Sequence, residues 1–220
     1  MPVDLRLYAI VDPEHTGGRS LPELARLVAQ GGATLVQLRD KKSDTRVMVD
    51  TARAVKAALV PFGVPLLIND RVDVALAAGA DGVHVGQTDM AADDARRLLG
   101  KNAIIGLSIN TEALAEAAPI GTIDYVGIGG VYATTSKDQK KPPIVVDGLR
   151  RIVDVFRQRD PEFPSCAIAG INAANAGATI AAGADGVSVI SALSLANDPT
   201  AAAKTMRQVV DDALAARKRP

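Results

Sequence analysis

The sequence predicts an α/β protein in which eight strand-helix units form one (β/α)8 barrel domain across residues 1–220. Short apolar runs alternate with helical segments along the chain, and glycine or polar residues bound each run. Such runs are too short for helices and are typical of parallel strands buried on both faces. A chain of 220 residues with 48% hydrophobic and only 3% aromatic residues suits aliphatic helices packed on such strands.

An internal repeat favours a closed barrel over an open sheet. Residues 77–85 read AAGADGVHV, and residues 181–189 read AAGADGVSV. Four strand-helix units separate the two copies, which places them on opposite sides of an eight-unit barrel, as in a TIM barrel. An open doubly wound sheet is the weaker alternative, because this relation is hard to arrange there.

The elements are predicted from apolar runs and from capping signals. The strands are predicted at residues 5–11, 35–39, 66–68, 83–85, 104–108, 125–128, 166–169 and 187–190. Ser20 and Glu23 form a capping box for the first helix, and Ser43 or Asp44 begins the second. The helices are predicted at residues 20–30, 43–60, 71–78, 92–99, 111–118, 146–159, 173–182 and 199–217. Residues 129–143 remain as one long loop, and loops of this length are usually functional.

Composition limits the partners of the protein. Lys plus Arg and Asp plus Glu balance at 25 each, so no overall basic field predicts a nucleic acid or a membrane partner. The single cysteine, Cys166, lies in an apolar run and is interpreted as a buried strand residue. The sequence shows no signal peptide and no run near the roughly 18 apolar residues of a membrane span. We therefore expect a cytoplasmic protein, and whether it forms a homo-oligomer stays open.

Polar side chains follow the second predicted strand, at the end where barrels carry their chemistry. Gln37, Arg39 and Lys41 share one face of this strand end, whereas Leu38 and Asp40 lie on the other. A glutamine and two cations directed together indicate an anion site. The alternative is a solvated edge with salt bridges, which is disfavoured because Gln37 and Arg39 continue a strand that should be buried.

Two carboxylates follow the third and fourth strands. Asn69 and Asp70 end the third strand, Asp89 follows the fourth, and neighbouring strands lie about 5 Å apart. Mg²⁺ usually takes one or two carboxylates plus waters and substrate phosphates, so the pair predicts a metal and diphosphate site. Either Asp read alone would be a helix cap or a loop residue. His84 has no partner at metal-ligand spacing and is interpreted as structural or as a support for the site.

The remaining strand ends offer hydroxyl and backbone N–H groups. Ser108 ends the fifth strand, and the sixth leads into the segment Thr-Thr-Ser-Lys at residues 134–137. Gly170 follows the seventh strand, and Ile190 and Ser191 follow the eighth, where barrels commonly hold a phosphate on backbone N–H groups. Two anion sites are thus predicted to face each other across this end of the barrel.

These motifs together resemble the thiamine phosphate synthase family. The resemblance rests on QLRDK at 37–41, IND at 68–70, GVHVGQTD at 82–89, the T-x-S-K at 134–137, AGI at 169–171 and VIS at 189–191. Their order and spacing agree with the family over nearly the whole chain. The resemblance implies a (β/α)8 barrel that joins hydroxymethylpyrimidine diphosphate to a thiazole phosphate and releases diphosphate with the help of Mg²⁺.

The resemblance also implies roles for individual residues. Asp70 and Asp89 would bind the metal, and Arg39, Lys41 and Lys137 would act in catalysis. The substrate-binding residues would be Gln37, Leu38, Arg39, Asp40, Lys41, Asn69, Ser108, Thr134, Thr135, Ser136, Lys137, Gly170, Ile190 and Ser191. Two other functions remain open, a paralogous thiazole tautomerase on the same fold and a non-catalytic barrel that binds a phosphorylated metabolite.

Overall fold

Eight parallel strands close into a barrel in the order of the sequence, with the last strand paired to the first. The computed structural model describes residues 3–136 and 142–217. The strands are β1 (Leu7–Val11), β2 (Leu35–Leu38), β3 (Leu66–Asn69), β4 (Gly82–Val85), β5 (Ile104–Ile109), β6 (Tyr125–Gly129), β7 (Ser165–Ile168) and β8 (Gly186–Val189). The predicted barrel is confirmed, and the open sheet is wrong because the pairing of β1 with β8 leaves no edge.

Helices surround the barrel between the strands. They are α1 (Leu21–Gln30), α2 (Thr45–Leu59), α3 (Val72–Ala78), α4 (Ala92–Leu99), α5 (Glu112–Ala117), α6 (Val145–Arg159), α7 (Ala176–Ala181), α8 (Ser191–Ser194) and α9 (Pro199–Ala216), with a 3₁₀ turn at Val60–Phe62. The capping of α1 by Ser20 is confirmed, because its hydroxyl oxygen accepts from the Glu23 N–H at 3.3 Å. Among the described residues, no helix is long and apolar enough to cross a membrane.

Two helix predictions were wrong in detail. Helix α7 begins three residues later than predicted, because Asn172 and Asn175 fold the preceding segment through side-chain bonds to backbone N–H groups at 2.9 and 2.8 Å. Helix α8 was missed, since four residues are too few to show a helical period. This short helix lies directly after β8 and therefore contributes to the C-terminal end of the barrel.

The apolar residues form two separate clusters. The larger cluster lies between the outward faces of the strands and the helices. It includes, for example, Val36 of β2 and Leu24 of α1. The smaller cluster fills the inside of the barrel and consists of Leu5, Tyr8, Leu35, Leu67, Tyr125 and Cys166. Cys166 is fully buried there, as predicted, and burial raises the pKa of its thiol.

Glycine in β5 makes room for an aromatic ring inside the barrel. A Cβ atom at Gly106 would lie 2.1 Å from Cζ of Tyr125, its neighbour on β6. The ring of Tyr125 therefore reaches across to Tyr8, with ring centroids 5.8 Å apart in an edge-on arrangement. We call the C-terminal end of the barrel the mouth. The two phenols fill the space inside the barrel below it.

The opposite end of the barrel carries a fourfold repeated contact. The side chain before each even strand accepts a backbone N–H from the preceding odd strand: Thr34 from Leu7 at 3.1 Å, Asp81 from Leu66 at 2.8 Å, Asp124 from Ile105 at 2.7 Å and Asp185 from Ser165 at 3.0 Å. Each of these residues also donates its own N–H to the carbonyl of the same partner at 2.8 Å. At the end away from the mouth, these hydrogen bonds thus join the strands in four pairs.

Candidate active site

Unpaired buried polar atoms concentrate at the mouth. Within the described ranges, the buried side-chain atoms without a hydrogen-bond partner are His15 Nδ1, Asn69 Nδ2, Asn110 Oδ1, Ser188 Oγ and Ser194 Oγ. Each belongs to the C-terminal end of a strand or to the segment that follows one. Buried polar groups in native proteins nearly always have partners, so these atoms are open to a ligand or to water at this end of the barrel.

A connected set of side chains forms the floor of the mouth. Gln37 is only 2% exposed, and its Nε2 donates to Asn69 Oδ1 at 2.7 Å. Ser108 lies on the other side of the floor, where its Oγ is 2.9 Å from Nε2 of His84. The structure therefore brings Gln37, Asn69 and Ser108 to one surface, as the strand-end argument predicted.

Arg39 is held at the rim by a carboxylate that sequence reasoning missed. Its Nη1 contacts Oδ2 of Asp12, a residue that is only 1% exposed and follows β1 directly. The buried carboxylate fixes the direction of the guanidinium, which remains 17% exposed. Asp12 could have been selected from the sequence, because it is a polar residue that directly follows a strand, which is the criterion that selected Arg39.

Lys41 lies against the predicted metal ligands. Its Nζ contacts Oδ2 of Asp70, and the carboxyl groups of Asp70 and Asp89 are close enough to interact. Burial raises the pKa of Asp70, the hydrogen bond from Lys41 lowers it, and Asp89 raises it, with a net upward shift. The two carboxylates are therefore neighbours, and the cationic side chain of Lys41 contacts one of them.

Backbone geometry sets the positions of both carboxylates. Asp70 has a φ angle of 60° and donates its N–H to the carbonyl of His84 at 2.8 Å, which extends the pairing of β3 with β4 by one residue. Asp89 accepts the Gly86 N–H on Oδ2 at 2.8 Å, so the loop after β4 folds back on itself. Each side chain thus extends from a short, hydrogen-bonded turn rather than from a loose loop.

Leu38 and Asp40 lie on the outer side of β2. Leu38 is buried in the cluster beneath the helices, and Asp40 accepts the N–H groups of Lys42 and Ser43 at 3.0 and 2.9 Å. The Asp40 side chain thereby shapes the turn that leads into α2. Their side chains serve the fold, and their contacts with a substrate stay predictions.

The segment after β6 is anchored across β7. The N–H groups of Val131 and Tyr132 donate to the carbonyls of Ile168 and Ala169 at 2.9 and 3.1 Å, respectively. Further along, Ser136 donates its hydroxyl to Oγ of Ser191 at 3.1 Å and is only 7% exposed. The predicted catalytic residue Lys137 lies outside the described residues.

A cavity of about 460 Å³ lies between this segment and the ends of β7 and β8. Six predicted binding residues line it: Thr134, Thr135, Ser136, Gly170, Ile190 and Ser191. Ser188 also lines it, a residue that corresponds to His84 in the internal repeat and was not selected from the sequence. Because the first N–H groups of a helix have no acceptor within it, those of Ser191 and Ala192 at the start of α8 can serve a ligand in the cavity.

The barrel mouth thus combines two rim cations and a carboxylate pair on one side with a cavity lined by hydroxyl and N–H groups on the other. This is the site of a barrel enzyme that transfers a group from a phosphorylated substrate. The chain belongs to the thiamine monophosphate synthase family, whose model matches residues 7–193.

Individual relatives agree with this assignment. The chain is 48% identical over 216 residues to the thiamine-phosphate synthase of Agrobacterium fabrum, which covers 98% of each chain. It is 45% identical over 208 residues to the thiamine-phosphate synthase of Albidiferax ferrireducens, covering 94% of this chain and 92% of that one. The solved thiamine phosphate pyrophosphorylase from Pyrococcus furiosus has a TM-score of 0.83 at 34% identity, over 96% of this chain and 98% of that structure.

Proposed function

We propose that this protein joins hydroxymethylpyrimidine diphosphate to a thiazole phosphate, giving thiamine phosphate and diphosphate. The observation that carries the proposal is the division of the mouth into two unlike halves. Lys41, Asp70 and Asp89 form a metal and diphosphate half, and the cavity lined by Gly170 and Ser191 forms a phosphate half. Family membership supports the same reaction.

The pyrimidine diphosphate is proposed to bind over the floor formed by Gln37, Asn69 and Ser108. Arg39 and Lys41 lie at the rim on the same side, where they can contact the diphosphate oxygens. Lys137 is proposed to join them. The rim cations thereby offset the negative charge that grows on the diphosphate as it leaves.

The residues present fit Mg²⁺ rather than a metal held by a full protein cage. Among residues 3–136 and 142–217, no group of three or more His, Cys, Asp or Glu is placed to hold a metal ion. Two carboxylates, Asp70 and Asp89, are the protein share that Mg²⁺ usually takes when substrate phosphates supply the rest. Bound Mg²⁺ would neutralise charge on the leaving diphosphate. Lys41 would then leave Asp70 and turn to the diphosphate.

The thiazole phosphate is proposed to occupy the cavity between β7, β8 and the segment after β6. Its phosphate would accept from the hydroxyl groups of Thr134 to Ser136 and from the N–H groups near Gly170 and Ser191. The unpaired hydroxyl of Ser188 lies deeper in the same region and can contact the thiazole ring.

The reaction proposed here needs no protein nucleophile. The bond from the pyrimidine methylene carbon to the diphosphate oxygen breaks with its electron pair on oxygen, and the thiazole nitrogen forms the new bond to that carbon. The thiol of Cys166 is buried below the mouth, and its raised pKa keeps it protonated. The protein therefore acts by placing two ligands and by stabilising charge.

Diphosphate release tests this proposal against the two alternatives. With both substrates and Mg²⁺, a synthase releases diphosphate, and with either substrate alone it does not. A thiazole tautomerase would convert its thiazole substrate without the pyrimidine, and a sensor would bind ligands without turnover. We further propose one domain, a cytoplasmic location and no nucleic acid or membrane partner, and sedimentation would decide between a monomer and a homo-oligomer.

A further inference from the structure

A continuous chain of hydrogen bonds crosses the inside of the barrel beneath the mouth. It begins at Asn69, whose Oδ1 is 2.7 Å from Gln37 Nε2, and continues from Gln37 Oε1 to the hydroxyl of Tyr8. The Tyr8 and Tyr125 hydroxyls are 2.9 Å apart, His84 Nδ1 is 2.8 Å from Tyr125, and Ser108 Oγ is 2.9 Å from His84 Nε2. Asn69 and Ser108 at the two ends belong to the proposed pyrimidine site.

The direction of this chain follows from its donors. Gln37 Oε1 can only accept a hydrogen bond, so the Tyr8 hydroxyl donates its single proton to it. The Tyr8 oxygen must then accept a hydrogen bond from the Tyr125 hydroxyl. Tyr125 then has no proton left for His84, so the imidazole must carry its proton on Nδ1 and donate to Tyr125. With that tautomer, Nε2 is an acceptor and Ser108 is the donor.

For a neutral imidazole at His84, only one other order satisfies every member of the chain. If the amide of Gln37 were turned over, Tyr8 would accept from it, each following hydrogen bond would reverse, and His84 would carry its proton on Nε2. The two orders present opposite patterns at the mouth. In the order shown here, Asn69 offers its unpaired Nδ2 donor at one end, and Ser108 offers only oxygen lone pairs at the other.

Burial keeps the chain intact. Tyr8 and Tyr125 are 1% and 0% exposed, so no solvent replaces their partners. Burial also raises the pKa of both phenols well above the usual value, which keeps each of them a donor of one proton. A buried network in which every member is paired is rigid, and reversing one bond requires reversing them all.

We propose that Tyr8, Tyr125 and His84 are positioning residues that fix the donor and acceptor pattern read by the pyrimidine. The inference rests on the proposed function. An aminopyrimidine carries acceptor ring nitrogens and a donor amino group, which match a donor at Asn69 and an acceptor at Ser108. The chain acts through Gln37, Asn69 and Ser108, and it sets one orientation of the ring over the floor.

The tautomer of His84 gives a readout that does not depend on activity. In protein labelled with ¹⁵N at its two histidines, His84 is expected to carry its proton on Nδ1, with His15→Gln used for assignment. In Tyr125→Phe the Nδ1 proton loses its phenol acceptor, so the tautomer is expected to change to Nε2–H, which donates to Ser108. A proton on Nε2 in the wild type, as in the Nε2–H tautomer or in the imidazolium, would overturn the chain order.

Kinetics then separate positioning from packing. In Tyr8→Phe and Tyr125→Phe, the KM for the pyrimidine diphosphate is expected to rise about tenfold, with less than a twofold change for the thiazole phosphate. Cys166→Ala is the matched control, because Cys166 packs in the same inner cluster as Tyr8 and Tyr125 but forms none of the hydrogen bonds of the chain. Equal effects in the control and in the Phe variants would overturn the positioning role. A wild type without turnover would refute the proposed function, while the tautomer would still decide the chain order.

Discussion

The ammonium group of Lys41 contacts Oδ2 of Asp70, so a side chain of the protein holds the position beside the carboxylate pair that a metal ion is proposed to take. Lys41→Met should therefore tighten the binding of Mg²⁺ alone, because the competing cation is gone. The same variant should weaken the pyrimidine diphosphate about tenfold or more, since a charged contact is lost. Calorimetric titration of each ligand measures both effects.

The neighbouring lysine provides the control for this prediction. Lys42 contacts Glu14 instead and lies near the surface. Lys42→Met should leave both affinities within about twofold of the wild type, because exposed ion pairs contribute little. If Lys41→Met weakened Mg²⁺ binding, the ammonium would not be a competitor at the carboxylate pair.

Removing the charge of Asp70 should separate stability from activity. Its pKa in the folded state lies above the usual value of 3.8, so the folded protein loses stability as the pH rises from that value through the raised pKa. Asp70→Asn removes this loss and tolerates the φ angle of 60°. The free energy of unfolding at neutral pH should therefore not fall, while turnover should drop at least about a hundredfold.

Denaturant unfolding at pH 3 to 8 and diphosphate release measure the two effects of Asp70→Asn. Asp73→Asn is the control for activity, since Asp73 pairs with Arg71 on the outer surface. A variant that unfolds at neutral pH, or one that retains full activity, would contradict the assignment of Asp70.

Gly170 joins the cavity to the segment after β6. It has a φ angle of 66°, and a Cβ atom there would lie 2.4 Å from the carbonyl oxygen of Ala133. Gly170→Ala should therefore displace the segment that carries Thr134 and Ser136 and weaken the thiazole phosphate about tenfold, with little change for the pyrimidine diphosphate.

Gly177 in α7 is the matched control for Gly170, because a Cβ atom there would meet nothing within 4 Å. Gly177→Ala should leave ligand binding unchanged and raise the melting temperature slightly, since alanine favours a helix. Titration of each ligand alone distinguishes the outcomes. Equal losses for both ligands in Gly170→Ala would show that the two halves of the mouth are misassigned.

The fourfold contact at the far end predicts a pure stability effect. Asp185 accepts from Ser165 and pairs with Arg157 and Arg217 at 2.6 and 3.0 Å. Asp185→Ala should lower the free energy of unfolding by about 3 kcal/mol, because a half-buried carboxylate with three partners is lost. Asp50→Ala, at an exposed ion pair, should cost less than about 0.5 kcal/mol. Both variants should keep the KM of each substrate, and a raised KM in Asp185→Ala would contradict the separation of the two barrel ends.

Local patterns in the sequence were enough to predict the barrel and much of its mouth. Helix α4 begins and ends where it was predicted, and Asp70 and Asp89 lie together because neighbouring parallel strands end at one edge. The half-barrel repeat could be recognised because the two copies share most of their residues. The fourfold contact could not be recognised from the sequence, since Thr34 replaces aspartate in one copy and the hydrogen bonds are made to backbone atoms.

The contacts that a linear pattern does not carry are those between distant residues. Tyr8 and Tyr125 are 117 positions apart, and their hydrogen bond depends on the space left by Gly106. The position of Asp12 after the first strand was visible in the sequence, but its pairing with Arg39 depends on the closed barrel. Hydrogen bonds and ion pairs of this kind depend on how the closed barrel brings distant side chains together, and no single stretch of sequence encodes them.

The most direct test is the stoichiometry of products with purified protein, both substrates and Mg²⁺. Diphosphate and thiamine phosphate should form in equal amounts, stop when EDTA is added and resume when excess Mg²⁺ is restored. Asp70→Asn and Asp89→Asn should form both products at least about a hundredfold more slowly than the wild type while remaining folded. Thiamine phosphate formed at the full rate in EDTA, or by either variant, would contradict the proposed metal site, and the absence of both products in the wild type would contradict the proposed reaction.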